Sequence, residues 1–168
     1  NFHNISKPFS SNAHFLSIYN VGVPGANAYD LADVITPPGT QIDIDTDAVP
    51  GEDNVRISPP FKFAYASPGQ RLFLVDGPVT YLCDNAAGTL TRYAGYAITS
   101  DQTDRDSDSD LLAAGADATL IADKIHTCSM AYAPGTAQRA GLVSVALAVT
   151  DSGETVSLLH QVHVDNVP

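Results

Sequence analysis

The sequence has no tryptophan, one methionine, two cysteines, and only eight lysines and arginines against nineteen aspartates and glutamates. Each shortage narrows the function. With a formal net charge of −11 the chain is a poor nucleic-acid binder, because gripping a phosphate backbone takes cationic side chains that release its counterions. The same deficit argues against anionic lipid headgroups. The missing indoles remove the flat ring that most often carries a stacked sugar. No apolar run reaches the length of about 18 residues that would cross a bilayer as a helix. The chain starts at Asn1 rather than at a methionine. A fragment or processed form is therefore expected, and an upstream membrane anchor is compatible with it.

What is present fits one globular domain over residues 1–168. A chain of this length buries roughly 70% of its unfolded surface. At 44% hydrophobic residues it has the material for a core. The acid excess suits cations, basic protein surfaces, or simple solubility. Two cysteines, Cys83 and Cys128, permit one pairing. If bonded, they place the chain in an oxidising compartment such as the periplasm or cell exterior. Closing the 45-residue interval would then stabilise the fold by about 4 kcal/mol. If free, they are two buried thiols of a reducing compartment.

Strand-like alternation dominates the chain. In 142–150, Val143, Val145, Leu147 and Val149 share one face. In 155–165, Val156, Leu158, His160, Val162 and Val164 do the same, and "DSGE" between the two runs is a hairpin signal. Residues 128–133, 79–83 and 89–98 read as further strands, with "DNAAG" closing a second hairpin. Residues 72–165 are thus expected to form an antiparallel meander with one interruption at 101–127. There "DQTDRDSDSD" reads as a solvated loop, and "DLLAAGADATLIADKI" as a short helix or two turns weakened by Gly115. Upstream, 15–21, 40–47, 61–66 and the stretch after Gln70 read as strands. The expected class is α+β, mostly β: an antiparallel sheet with little helix.

Few residues assemble into a chemical site. Neither G-x-S-x-G, S-x-x-K nor Cys-x-x-Cys occurs. Of the histidines, His3, His14, His126, His160 and His163, the last two point to opposite sides of one strand. His163 and Asp165 share a face, but two groups do not make a site. His160 stands in an apolar row and is expected to be a core histidine with a hydrogen-bond partner. Asp104, Asp106, Asp108 and Asp110 recur at every second position, a spacing that offers oxygens to calcium on a flexible loop. They lack the turn glycine and closing glutamate of an EF-hand, so a solvated acidic loop competes with the metal reading. "DIDTDAVPGEDN" (43–54) is a weaker candidate of the same kind.

The segments "YNVGVPGANAYD", "SPGQRLFLVDGPVTYLCD", "GTLTRYAGYAI", "TCSMAYAPGTAQRAGLVSVALAV" and "LLHQVHVDNVP" resemble the globular head of the MshO-type minor pilins of the MSHA pilus. That family is related in design to the J-type pseudopilins of type II secretion. The likeness runs from about Ser17 to Pro168 and is most specific in the C-terminal half. It implies a pilin-like β-sheet head that packs on the end of an N-terminal hydrophobic helix, truncated here. It implies a single Cys83–Cys128 disulfide, no enzymatic activity and no cofactor. The implied partners are other minor pilins and the major pilin, in a complex that starts or caps the pilus. The implied location is the periplasm and the pilus surface, with the inner membrane reached only through the missing helix. The alternative is a stand-alone adhesive or carbohydrate-binding β-domain, calcium-dependent through the four aspartates. A hydrolase would need a cleft with converging acids and a strongly shifted pKa.

Overall fold

The structure, a computed structural model, describes residues 6–67, 69–133 and 141–164. His3, Asp165 and residues 134–140 lie outside the described residues. The chain divides into two compact units, Asn1–Gly77 and Pro78–Val167. Strands pair antiparallel in both, as the alternation implies, and the second unit is mostly sheet.

In the first unit, β1 (Phe9–Ser11), β3 (Gln41–Thr46) and β4 (Asp53–Ser58) form a sheet with β3 in the middle. A second pair joins β2 (Phe15–Ser17) to β5 (Phe73–Val75). Ile42 and Ile44 point inward from β3, opposite Ile57 and Val55, and are fully buried with Leu16. Phe9, Phe63, Leu72 and Leu74 pack on them. The outward residues of β3 are acidic and partnered. Ser10 Oγ and Gln41 Nε2 donate to Asp43 at 2.7 and 3.0 Å, and Arg56 pairs with Asp45. Lys7 meets Asp53 at 2.6 Å.

Two expectations fail here. The strand expected over 15–21 ends at Ser17, and the chain turns at Tyr19, whose φ is +54°. Ile18 still donates to the Val34 carbonyl at 2.9 Å, and Thr36 is buried where its hydroxyl accepts from the Leu16 N–H at 3.0 Å. Residues 61–66 are not a strand. Pro59 and Pro60 precede them and offer no N–H to a ladder. Their aromatics pack instead: Phe61 and Phe63 meet edge to face, and Tyr65 lies 4.9 Å from the Tyr19 ring.

In the second unit, β6 (Val79–Asp84), β7 (Thr89–Ala94) and β8 (Asp117–Ala122) form one three-stranded sheet. Another is built from β9 (Ile125–Ala133), β10 (Gly141–Asp151) and β11 (Glu154–Val164), with β10 central. The expected single meander over 72–165 is therefore split, with β5 paired to β2 in the first unit and the rest in two sheets. Both expected hairpins form. Asp84 holds the first turn by accepting from the Ala86 and Ala87 N–H groups, each at 2.8 Å. Ser152 and Gly153 make the second with φ of +52° and +87°, the two-residue turn whose twist suits a hairpin. β7 stops at Ala94, short of the expected 98, and Tyr96 turns into the core with its hydroxyl 2.6 Å from Thr80 Oγ1.

The expected helix is present but short. α1 (Asp108–Ala113) is capped by Ser107, whose hydroxyl accepts from the Asp110 N–H at 3.2 Å. Gly115, at φ +81°, ends the turn in the left-handed region, and the remaining "DATLIA" becomes β8 rather than helix. Leu111 is fully buried beside Tyr93, Tyr96 and Ala116. A second cluster gathers Leu90, Ile125 and Cys128 with Cys83, Leu147 and Val149.

Candidate functional site

The aspartate ladder does not assemble. Asp104 ends in a short 3-10 turn, exposed, where Thr99 Oγ1 donates to it at 3.3 Å. Asp106 is exposed at the end of that turn. Asp108 accepts from the Tyr93 hydroxyl, and Asp110 accepts from the capping Ser107 hydroxyl. Two of the four carboxylates thus secure α1 and its contact with β7. Among the described residues no group of three or more His, Cys, Asp or Glu side chains converges to hold a metal. The donor set therefore does not fit calcium. The 43–54 candidate is likewise committed to Ser10, Gln41, Arg56 and Lys7.

The shifted titrations follow these bonds. Tyr93 is raised above its ordinary value, first by donating to Asp108 and then by burial. Asp43 is lowered by the hydrogen bonds from Ser10 and Gln41. Asp101 is lowered by the side-chain and backbone bonds from Thr103.

One hydroxyl–imidazole–carboxylate chain escaped the sequence reading. Ser11 Oγ lies 2.7 Å from His14 Nδ1, and His14 Nε2 lies 3.1 Å from Asp76. The connectivity is that of a triad, but the setting is not. The Asp76 side chain is 93% exposed, whereas a triad carboxylate is buried to stabilise the imidazolium. Ser11 Oγ also accepts from the Ala13 N–H at 3.1 Å. The set ties down the turn after β1.

Cys83 and Cys128 form a disulfide, with Cα atoms 5.9 Å apart. It links β6 to β9 inside the second core cluster. Asn85 braces the same point, accepting from the Cys128 N–H at 2.9 Å.

From that staple outward, one face of the β9–β11 sheet is apolar except at His160. Cross-strand register places Leu147 between Cys128 and Leu158, Val145 between Met130 and His160, and Val143 between Tyr132 and Val162. Residues opposite one another project to the same side. Only the β9 side of the stapled end is closed: Ile125 and Cys128 are 3% and 8% exposed. The rest is open. Met130, Tyr132, Val156, Leu158 and Val162 are 42–72% exposed. His160 is exposed as well, which corrects its expected place in the core. Tyr132 lies across Gly141, where an added Cβ would come within 2.7 Å of its hydroxyl. Each open Val or Leu forgoes part of the roughly 1.5–3 kcal/mol that full burial of such a side chain supplies.

None of the described helices is long and apolar enough to cross a membrane. No protein-family model matches the chain, and neither does a curated protein or a solved structure.

Proposed function

We propose that this chain is the head of a non-enzymatic minor pilin, acting in MSHA-type pilus biogenesis or tip-complex assembly through protein–protein contacts. The observation that carries the reading is the uncovered apolar row of Met130, Tyr132, Val156, Leu158 and Val162. A contiguous apolar surface on an otherwise acidic chain marks a contact that is completed by something else. The N-terminal apolar helix implied by the sequence resemblance, or a neighbouring pilin, supplies that cover. A stapled, mostly antiparallel β body supports the same reading, because a secreted interaction module needs rigidity rather than a nucleophile. On this reading the subunit is periplasmic and anchored in the inner membrane before assembly. It then stands on the pilus, with other minor pilins and the major pilin as partners. The calcium-dependent adhesive alternative lacks comparable support, since Asp108 and Asp110 are spent on Tyr93 and Ser107.

The test is capture of the other minor pilin heads by this protein, with calcium and with chelator. Specific capture that ignores the chelator is expected. Glycan binding lost on chelation, with no pilin captured, would overturn the proposal.

A further inference from the structure

Sulfur is scarce in this chain, and all but one atom of it is spent. Cys83 and Cys128 are bonded to each other, so no thiol is free. Met130 is the one methionine, and it stands 42% exposed on β9. A thioether open to solvent is a soft, polarizable nucleophile, and here no other sulfur competes with it for an oxidant.

The position of Met130 gives that chemistry a consequence. Val145 pairs with Met130 on one side and with His160 on the other, so the three form one row across the sheet. The row lies between Cys128–Leu147–Leu158 and Tyr132–Val143–Val162 on the same open face. His160, exposed on β11, already ends it with a polar ring. Met130 is the apolar group at the opposite end. A polar group there leaves Val145 alone between two hydrated ends. The Tyr132–Val143–Val162 row is then cut off from the apolar rows at the stapled end.

We propose that Met130 is a peroxide-sensitive modification site, and that oxidation of its thioether to the sulfoxide closes the open face to apolar partners. A sulfur lone pair attacks one oxygen of hydrogen peroxide. The S–O bond forms as the O–O bond breaks, and the proton of the transferred hydroxyl passes to the departing hydroxide, which leaves as water. Sulfur loses two electrons and the peroxide gains them. The sulfoxide oxygen is a hydrogen-bond acceptor, and covering it with apolar groups leaves it unpaired. A sulfoxide reductase returns it to the thioether, releasing water as a donor dithiol becomes a disulfide. On the reading of this face as a contact surface, on which the proposal rests, the free subunit is the sensitive form, because a seated partner covers Met130.

The test treats the whole protein with hydrogen peroxide and follows its mass, its melting temperature and its affinity for Nile red, a neutral dye that brightens on apolar surfaces. The mass should rise by one oxygen atom, mapped to Met130, at a rate close to that of N-acetylmethionine amide. The melting temperature should not move. Dye affinity should fall about tenfold, the weight of one polar group left unpaired in an apolar contact. Reductase treatment should restore it, and Met130→Leu should keep its own dye affinity through the same peroxide treatment. Oxygen uptake only in urea, or a lowered melting temperature, would place Met130 in the core and overturn the proposal. Unchanged dye affinity after full oxidation overturns it too. Capture of pilin heads tells the two proposals apart. A protein that captures none before oxidation contradicts the pilin reading, with the dye still deciding this one. A protein that captures them equally well after oxidation overturns the role of Met130.

Discussion

In β3, Ile42 and Ile44 alternate with Asp43 and Asp45, and both isoleucines are fully buried. In β11, Val156, Leu158 and Val162 alternate with Ser157, Leu159 and Gln161, and the three are 45–72% exposed. The period is the same and the fate is opposite. β3 lies between two strands, with Leu16, Phe63, Leu72 and Leu74 closing over its apolar side. β11 is an edge, and its Val156 and Leu158 stay exposed even in the rows that hold the buried Ile125 and Cys128. Alternation thus reports which side of a strand is apolar. What covers that side is decided by other parts of the fold, or by another molecule.

The contrast can be broken at its strongest points first. Replacing both Cys83 and Cys128 by alanine should cost about 4 kcal/mol, because the bond closes a 45-residue interval in the unfolded chain. It should also loosen the closed β9 side of the stapled end, read as faster amide exchange at Ile125 and Leu147. Thiol titration of the denatured, unreduced protein should find no free thiol. Next is Ile44→Ala, which leaves a cavity under β3 and should cost about 2–5 kcal/mol by urea denaturation. The matching Leu158→Ala change should stay within about 0.5 kcal/mol.

Tyr93→Phe is smaller. It removes the hydroxyl that donates to Asp108 and should cost about 1.5–3 kcal/mol. Its pH signature has a definite sign. Tyr93 is raised in the folded state, so its contribution is intact below the ordinary value of 10.0 and is lost as pH rises through the folded value. Asp43 and Asp101 are lowered, so theirs is intact above 3.8 and fades as pH falls through their folded values. The urea midpoint measured against pH should show both limbs, and Tyr93→Phe should flatten the alkaline one. Smallest of all, His160→Asp should leave stability within about 0.5 kcal/mol, since His160 is exposed.

The strands and hairpins of the second half were legible because β10 and β11 alternate over eleven residues each and the Ser152–Gly153 turn has strong local preferences. The short strands were not: β1 spans three residues, too few to show a period. "DATLIA" reads as helix by composition, and only the Gly115 stop divides it from α1. "FKFAYA" alternates well yet joins no ladder: its aromatics pack on one another and on Tyr19, and Ala64 donates to the Asp33 carbonyl. His160 stands in an apolar row, but the fold leaves that row uncovered on β11, so the row does not make it core. The aspartate ladder was visible as a pattern, but its partners Tyr93 and Ser107 come from β7 and the cap of α1, and only folding brings Tyr93 near.

The most direct test of the open face is the melting temperature of Leu158→Asp beside that of Ile44→Asp. With Leu158 on an uncovered surface, Leu158→Asp melts within about a degree of the wild type, while Ile44→Asp fails to fold. A loss for Leu158→Asp as large as that of Ile44→Asp would show that the β11 row is core, and the contact surface argued from it would not exist.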